Sequence, residues 1–290
     1  MKLLRCGPLG KEKPAIIGAD GRILDVSAHV LDWTPATLTA TNLARINSLS
    51  RDSLPEFSAE TRIGVPIKGI GKFIAIGLNY SDHAAESNMP IPKEPIVFTK
   101  ATSCLSGPND DVMLPKDSRK SDWEVELGVV IGRVTRYVTE EIALRYVAGY
   151  VLINDLSERE WQLERGSQWD NGKGFDTFGP VGPWFVTAEE VGDPQVLSMY
   201  LDVNGKRMQT GNTSTMVFSV CQIVSYLSNC MTLYPGDIIT TGTPPGVGMG
   251  MKPQPTFLRV GDTMRLGIER LGEQNQRVIA WRHLGEEVTV

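Results

Sequence analysis

The chain has 290 residues, of which 41% are hydrophobic and 22% charged, a composition typical of a globular protein and not of a disordered one. Its 29 basic and 34 acidic residues give a net charge of −5, which disfavours a nucleic-acid or membrane-surface partner. The four cysteines are scattered and predict neither a zinc site nor a disulfide framework. With no secretory-signal pattern and no long apolar run, we expect a cytoplasmic protein.

The first part of the chain, residues 1–65, is predicted to form a small β-rich N-terminal domain that ends in a segment rich in Ser, Pro and Glu. The remainder, residues 66–290, is predicted to form the catalytic domain. The elements predicted in the N-terminal domain are strands at residues 2–5, 15–18 and 23–26 and a helix at residues 38–49.

Strand signals dominate the rest of the chain, and helical periodicity is brief. The pair Asn204-Gly205 predicts a tight hairpin, because a type I′ turn needs positive φ at both central residues. Strands do not alternate regularly with long helices, so a βα barrel is disfavoured. We therefore predict a mixed, β-dominated and mostly antiparallel fold with few covering helices. The predicted strands are at residues 73–78, 96–99, 123–131, 147–153, 184–187, 197–203, 237–241 and 264–268, and the predicted helices at 81–87, 140–146, 157–165 and 216–227.

Two glutamates, Glu124 and Glu126, lie in an apolar segment that is predicted to be a strand. Because side chains alternate along a strand, both carboxylates point to the same face. An exposed acidic face would explain them without any function. The flanking apolar residues instead indicate a strand inside a sheet, where paired carboxylates are costly unless a cation lies between them. With only three histidines in the chain, an oxygen-ligated Mg²⁺, Mn²⁺ or Ca²⁺ site is favoured over a zinc site.

A third carboxylate, Asp155, follows Asn154 at the end of another apolar strand and is a candidate ligand for the same cation. An acidic residue at this place could equally be the N-cap of the following helix. On that helix, Arg159 and Gln162 are three positions apart and share a face, from which both could contact an anion. Exposed helical residues would show the same spacing, so both interpretations stay open at this point.

His83 and Glu86 are also three positions apart, where a short helix is predicted to begin. A carboxylate at that spacing can hold one nitrogen of the imidazole and orient the other as a base. A surface ion pair without function is the alternative. No serine or cysteine lies in a nucleophile motif such as GxSxG, so the sequence does not favour an acyl-enzyme mechanism.

Two glycine-rich segments complete the set of candidate residues. Lys173 is flanked by glycines, which allow the backbone to approach a ligand closely. Thr243 lies in the second segment, residues 240–248, whose hydroxyls and backbone amides suit a carboxylate. Neither segment matches a phosphate-binding or dinucleotide-binding motif, and an ordinary turn would account for each one alone.

Taken together and in this order, the motifs resemble the fumarylacetoacetate hydrolase family over residues 72–260. The N-terminal region resembles the β-rich extension of the bacterial branch that contains 2,4-diketo-3-deoxy-sugar-acid hydrolases and proteins labelled ureidoglycolate lyase. The resemblance implies a β-roll catalytic domain in a homodimer. The motifs that carry it are Gly77-Leu-Asn-Tyr with His83 and Glu86, Glu124-Val-Glu126, Asn154-Asp155 with Arg159 and Gln162, Gly172-Lys173-Gly, and Thr241-Gly-Thr243.

The resemblance also implies a role for each candidate residue. The roles are ligation of Mg²⁺ or Mn²⁺ by Glu124, Glu126 and Asp155, activation of water by His83 and Glu86 on a helical lid, stabilisation of negative charge by Lys173, Arg159 and Gln162, and binding of the substrate carboxylate by Thr243. One departure from the family pattern is Glu158, where a small residue is common. Its charge bears on the choice of substrate rather than on the class of reaction.

We therefore expect a metal-dependent hydrolase that cleaves a 2,4-dioxo acid, an acylpyruvate, into pyruvate and a carboxylic acid. Water activated by His83 would add to the 4-oxo carbon, and the C3–C4 bond would break to leave a pyruvate enolate. An oxaloacetate-type decarboxylase, a 2-hydroxydienoate isomerase and a ureidoglycolate lyase are the alternatives within the family. A metal-stabilised binding protein without turnover is the alternative of another class. The expected partner is a small 2-oxo acid, with no nucleic acid and no membrane.

Overall fold

Short strands provide most of the regular structure in the computed structural model of the chain, which describes residues 1–82 and 90–283. They form where branched and aromatic residues are bounded by Gly, Pro and Asn, as the sequence predicts. In chain order the strands are β1 (Lys2–Cys6), β2 (Lys13–Ile17), β3 (Ile23–Asp25), β4 (Phe73–Gly77), β5 (Ile96–Thr99), β6 (Leu105–Ser106), β7 (Val112–Met113), β8 (Ser121–Asp122), β9 (Val125–Ile131), β10 (Val147–Asn154), β11 (Ser157–Glu158), β12 (Gly179–Pro180), β13 (Phe185–Thr187), β14 (Ser198–Val203), β15 (Lys206–Asn212), β16 (Ile238–Thr240), β17 (Thr263–Ile268) and β18 (Gly272–Ile279).

Within the described residues these strands form two main sheets. The larger has nine strands in the order β3-β2-β1-β13-β10-β9-β16-β4-β5, and the smaller has five in the order β15-β14-β17-β18-β7. Two short pairs, β11-β8 and β12-β6, complete the set. Most neighbours are antiparallel, whereas β16-β4, β18-β7 and β12-β6 are parallel. The prediction of a mixed, β-dominated fold is confirmed.

Helices are short and cover the sheets, as predicted. The α-helices are Ala40–Asn47, Glu140–Ala143, Asp170–Lys173, Ala188–Val191 and Val220–Cys230; a π-helix is Glu160–Glu164; and 3₁₀ turns are Arg51–Ser53, Thr102–Cys104, Leu144–Tyr146, Thr213–Thr215 and Gly248–Gly250. The longest begins with a capping box between Ser219 and Gln222, which explains why it starts later than the predicted residue 216. No helix in the described part of the chain is long and apolar enough to cross a membrane.

The predicted hairpin is confirmed, because Asn204 and Gly205 have φ of 51° and 75° and connect β14 to β15. Strand β18 is not among the predicted strands. Its residues Gln274 and Gln276 are buried although they are polar, so the usual signal of apolar alternation is absent. Their side-chain amides donate to backbone carbonyls of other segments, which satisfies them inside the protein.

The predicted helix at residues 157–165 is wrong in its first part. Ser157 and Glu158 instead form β11, which pairs with β8. A π-helix follows only from Glu160. This arrangement brings the segment that carries Arg159 alongside the residues before β9.

Strands β9 and β10 lie in the middle of the nine-stranded sheet, and every residue of β9 is buried. On one side they contact β14, β17 and β18 of the smaller sheet. The N-terminal strand β1 pairs with β13 and so extends the same nine-stranded sheet. The domain boundary at residue 65 stays a prediction.

Candidate active site

Glu124 directly precedes β9 and Glu126 is the second residue of that strand, in the centre of the larger sheet. Their exposed fractions are 6% and 2%, so the alternative of an exposed acidic face is wrong. In β10, Asn154 is paired with Val125, which places the next residue, Asp155, beside Glu124, and the amide of Asp155 donates to the carbonyl of Glu124 at 2.8 Å. One carboxylate oxygen from each of Glu124, Glu126 and Asp155 lies within 4.8 Å of the others.

The three carboxylates experience different electrostatic surroundings. Burial opposes the ionisation of Glu124, but Lys173 and Arg159 outweigh it and lower the pKa of Glu124 to about 2. Burial raises the pKa of Glu126 well above its usual range, and the neighbouring carboxylates of Asp155 and Glu124 add to that effect. Glu126 is held in place by Thr240, whose hydroxyl donates to Oε2 at 2.5 Å, and by the amide of Gly242 at 2.8 Å.

Lys173 is the cation between two of these acids. Its Nζ donates to Oε2 of Glu124 at 2.6 Å and to Oδ2 of Asp155 at 2.8 Å. Burial lowers the pKa of Lys173, but Asp155 and Glu124 outweigh that effect and raise it. The alternative that Asp155 is only a helix cap is therefore wrong, because its carboxylate binds lysine and the following π-helix has no side-chain cap.

The glycine-rich segment around Lys173 is a short helix rather than the predicted loop. Asp170 ties this helix to the end of β5 by accepting from the amide of Thr99 at 2.6 Å. A Cβ on Gly172 would lie 2.5 Å from the carbonyl oxygen of Glu158 and 2.6 Å from Cβ of Gln162. Glycine is required there because the two helical segments touch through their backbones.

Arg159 and Gln162 share a face, as predicted, and both are buried. Nη1 of Arg159 donates to Oε1 of Gln162 at 2.9 Å, and Nη2 donates to Oε1 of Glu124 at 2.6 Å. Burial opposes the charge of Arg159, but Glu124 and Asp122 outweigh it and raise the pKa of the guanidinium further. The interpretation of the two residues as exposed helical positions is wrong.

Asp122 is a further buried acidic residue of the site, and sequence reasoning missed it. It is fully buried and accepts from Nε of Arg159 at 2.9 Å and from the amides of Gly248 and Met249 at 2.7 and 3.0 Å. It thus fixes the guanidinium and the Gly248–Gly250 turn at once. The available signal was its spacing, since Asp122 is two positions before Glu124, as Glu124 is before Glu126.

Lys100 is the second missed residue and lies beneath the acidic cluster. Its side chain is fully buried, with Nζ 2.7 Å from Oδ1 of Asp155. It donates to the carbonyls of Leu156, at 3.2 Å, and Lys173. Among residues 1–82 and 90–283, no hydrogen bond of good geometry reaches Oδ1 of Asp155, so its contact with Lys100 is an ion pair. A lysine at the end of a short strand carries no sequence signal of this kind.

A cavity opens at the acidic cluster and is lined by Glu124, Glu126, Arg159, Lys173 and Thr243 among others. Thr243 lies at this cavity, but its hydroxyl is used within the fold. It donates to the carbonyl of Val125 at 2.9 Å and accepts from Nε2 of Gln209 at 2.8 Å. Gln209 belongs to β15 of the smaller sheet and also accepts from the amide of Val125 at 3.0 Å. In this arrangement the hydroxyl proton of Thr243 is not free for a substrate carboxylate, and that role stays a prediction.

Three more residues were singled out from the sequence: His83, Glu86 and Glu158. His83 and Glu86 lie outside the described residues, so their role stays a prediction. Glu158 is buried, and burial raises the pKa of its carboxyl group. Among the described residues it does not line the cavity at the acidic cluster, so the structure gives no support to an effect of its charge on bound substrate.

The acidic cluster fits a hard divalent cation. Its donors are three buried carboxylates without histidine or cysteine, which suits Mg²⁺ or Mn²⁺. Four carboxylates, counting Asp122, face the three cations Lys100, Arg159 and Lys173. Burial, together with the neighbouring carboxylates of Asp155 and Glu124, raises the pKa of Glu126, and a bound divalent ion would favour its ionised form.

Comparison with known proteins identifies the family of this chain. The family description "Fumarylacetoacetate (FAA) hydrolase C-terminal" matches residues 72–279. The chain belongs to the fumarylacetoacetate hydrolase family. It is also similar to a Burkholderia cenocepacia protein named only "putative hydrolase", with 63% identity over 277 residues, 96% of this chain and 98% of the relative.

Solved structures of this family have the same fold. Fumarylacetoacetate hydrolase from Exiguobacterium antarcticum is 34% identical with a TM-score of 0.84 over 97% of this chain and 100% of that one. Maleylpyruvate hydrolase from Sphingobium sp. SYK-6, in complex with manganese(II) and pyruvate, is 31% identical with a TM-score of 0.81 over 97% and 100%. 5-Carboxymethyl-2-hydroxymuconate delta-isomerase from Mycobacterium smegmatis is 31% identical with a TM-score of 0.76 over the same shares. The family thus contains both hydrolases and isomerases.

Proposed function

We propose that the protein is a metal-dependent hydrolase that cleaves the C3–C4 bond of an acylpyruvate to give pyruvate and a carboxylic acid. The observation that carries this proposal is the buried cluster of Glu124, Glu126 and Asp155 with Nζ of Lys173 within 2.8 Å of two of them. The similarity of the chain to a maleylpyruvate hydrolase solved in complex with manganese and pyruvate supports the same proposal.

In this proposal Glu124, Glu126 and Asp155 hold the cation, Mg²⁺ or Mn²⁺. When bound, such a cation supplies Lewis acidity and a template for 2-oxo acid oxygens. Lys173 and Arg159 place positive charge at the same cavity, where it stabilises the negative charge that develops on C3 and the 2-oxo oxygen as C3–C4 breaks. Asp122 and Gln162 keep the guanidinium of Arg159 oriented for that task.

Hydrolysis also needs a base that deprotonates water for addition to the 4-oxo carbon. The proposal assigns that role to His83, oriented by Glu86, on the sequence argument alone. The proton removed from water then returns to C3 of the leaving enolate, which yields pyruvate. A positioned base contributes about 10²- to 10⁴-fold to the rate.

The second candidate function is isomerisation of a 2-hydroxydienoate, which similarity to the Mycobacterium smegmatis isomerase favours. It would use the same carboxylates and Lys173 to stabilise a dienolate, but no water would be added. The two candidates differ in one product, because only hydrolysis releases pyruvate.

The test follows the ultraviolet loss of the acylpyruvate enol together with pyruvate release, in metal-free protein and after addition of Mg²⁺ or Mn²⁺. We expect metal-dependent loss of enol with one pyruvate formed per substrate. His83→Ala should abolish this hydrolysis while leaving decarboxylation of oxaloacetate intact. Conversion of a 2-hydroxydienoate without pyruvate release, and no loss of any acylpyruvate, would replace the hydrolase by the isomerase.

A further inference from the structure

One wall of the cavity at the acidic cluster carries no charge. Besides the carboxylates and Lys173, the cavity is lined by six apolar side chains from separate segments of the chain. They are Ile76, Leu78, Phe98, Leu163, Trp169 and Met249. Leu163 is 39% exposed, so this wall reaches from the buried cluster to the cavity mouth.

Specific packing contacts hold the apolar wall in place. The rings of Phe98 and Trp169 contact edge to face with centroids 5.4 Å apart. The indole also packs against the end of β4, where a Cβ on Gly77 would lie only 2.4 Å from Cζ3 of Trp169. Gly77 therefore makes room for the indole, and any side chain at that position would displace it.

The wall begins close to the reacting groups. Nζ of Lys173 lies 5.1 Å from the centroid of the Phe98 ring. A substrate that places its 2-oxo acid end at the acidic cluster would therefore bring the group beyond its 4-oxo carbon against Phe98 and Trp169. That group is the acyl part, which differs between acylpyruvates.

The cations of the cavity are already paired. Among the described residues that line it, Lys173 and Arg159 are the only ones with a positive charge, and both bind carboxylates of the protein. The residues left undescribed, 83–89 and 284–290, contain no Lys or Arg in their sequence. The apolar wall itself offers no partner to a carboxylate on the acyl group, and burying a charge against it is costly.

We propose that this wall selects acylpyruvates whose acyl group is apolar and uncharged, an alkyl chain or a phenyl ring. The inference rests on the proposed function and adds the class of acyl group to it. It locates substrate selection at Phe98, Leu163 and Trp169.

The first arm of the test compares kcat/KM for acetylpyruvate, 2,4-dioxoheptanoate and 2,4-dioxoheptanedioate with Mg²⁺ or Mn²⁺ present. The last two compounds differ only in whether the chain ends in a methyl or a carboxylate group. We expect kcat/KM to rise about fourfold per added methylene. We expect it to fall roughly 100-fold when the methyl is replaced by carboxylate. Equal or faster turnover of the dioate would overturn the inference while leaving the hydrolase proposal intact.

The second arm uses variants of the wall and a matched control. Trp169→Ala should lower kcat/KM for 2,4-dioxoheptanoate about tenfold more than it lowers kcat/KM for acetylpyruvate. Leu163→Arg, at a half-exposed site that tolerates a long side chain, should raise the ratio of dioate to monoate turnover about tenfold. Trp161→Ala is the control, because this tryptophan stacks on Phe175 and Arg165 and does not line the cavity. An equal loss on acetylpyruvate in Trp169→Ala would contradict the assignment.

The third arm does not depend on turnover. Binding of 2-oxohexanoate and 2-oxoadipate to the Mg²⁺-loaded protein is measured by thermal shift or calorimetry, since neither compound has a C3–C4 bond to a carbonyl that could be cleaved. We expect the monoacid to bind at least about tenfold more tightly. If no acylpyruvate is turned over, the proposed function fails, and this comparison still decides whether the wall excludes a distal carboxylate.

Discussion

The charged half and the apolar half of the cavity are constructed in different ways. In the charged half, Glu124, Lys173 and Arg159 are buried, and each is bound by at least two other side chains. In the apolar half, Leu163 is partly exposed and Trp169 is held by ring contacts and a neighbouring glycine. A substitution in a hydrogen-bonded network affects every residue of that network, whereas each apolar contact contributes its own buried area independently. Chemistry and substrate choice can therefore be changed separately.

The largest effect is expected from Asp155→Asn, which removes one ligand and leaves Lys100 and Lys173 without their shared acid. The variant should lose divalent-cation binding, measured by calorimetry with Mn²⁺, and should lose about 10³-fold in kcat/KM on every substrate. Asp176→Asn, an exposed carboxylate three positions from Lys173, is the control and should behave as wild type. A loss confined to some substrates would show that the charged half also selects acyl groups.

The next effect is expected on stability. Lys100→Met keeps the volume but removes the cation beneath Asp155 and the donor to two buried carbonyls. The metal-free variant should be less stable by about 3 kcal/mol, because Asp155 loses one of its two buried cationic partners and keeps only Lys173. Added Mg²⁺ or Mn²⁺ should raise its melting temperature more than that of wild type, because the cation supplies the missing positive charge. An unchanged melting temperature in the metal-free variant would mean that Lys100 does not compensate Asp155.

A smaller, uniform effect is expected from Asp122→Asn. The amide still accepts from the Gly248–Gly250 turn but no longer pairs with the charge of Arg159. Turnover should fall about tenfold with the same order of substrates, since residues behind a ligand typically contribute 10- to 100-fold. A changed order of substrates, measured with the monoate and dioate pair, would contradict the separation of the two halves.

The most gradual effect concerns pH. The pKa of Glu126 is raised in the folded protein, so its contribution to stability is fully present below the unfolded value near 4.5 and is lost as pH rises through the folded value. Metal-free wild type should therefore lose stability relative to Glu126→Gln above about pH 5, by up to about 1.4 kcal/mol per pH unit. Glu124, with its pKa lowered to about 2, acts in the opposite sense and only as pH falls below 4.5.

Denaturant unfolding of both metal-free proteins between pH 5 and 8 measures this difference. With saturating Mn²⁺ the order should reverse, because the wild type keeps all its ligands. Parallel stability curves for the two proteins would show that Glu126 ionises in the folded state as it does in the unfolded state.

Much of the charged half could be predicted from sequence, because its acids follow strand geometry. The spacing of Glu124 and Glu126 fixes their common face once β9 is recognised as a buried strand. The local signals for Asp155 and Lys173 are weaker, and they indicate a site only when they are combined with the other motifs. The order of the motifs along the chain, rather than any one of them, indicated the family.

What sequence could not predict depends on contacts between distant segments. Asp122, Lys100 and Gln209 are polar residues, and they have partners 37, 55 and 84 positions away. The apolar wall is similar: Phe98 and Trp169 look like ordinary core residues until β5 and the Lys173 helix are brought together. Such placements follow from sheet topology, which local patterns do not encode.

The side chain of Gln209 joins the two main sheets next to the acidic cluster. It belongs to the outermost strand of the smaller sheet, yet it fastens the backbone of β9 to the loop that carries Thr243. The hairpin at Asn204-Gly205, which forms no part of the cavity, is thereby mechanically linked to it. Substitutions that reshape the β14-β15 hairpin would therefore also change the alignment of the carboxylates.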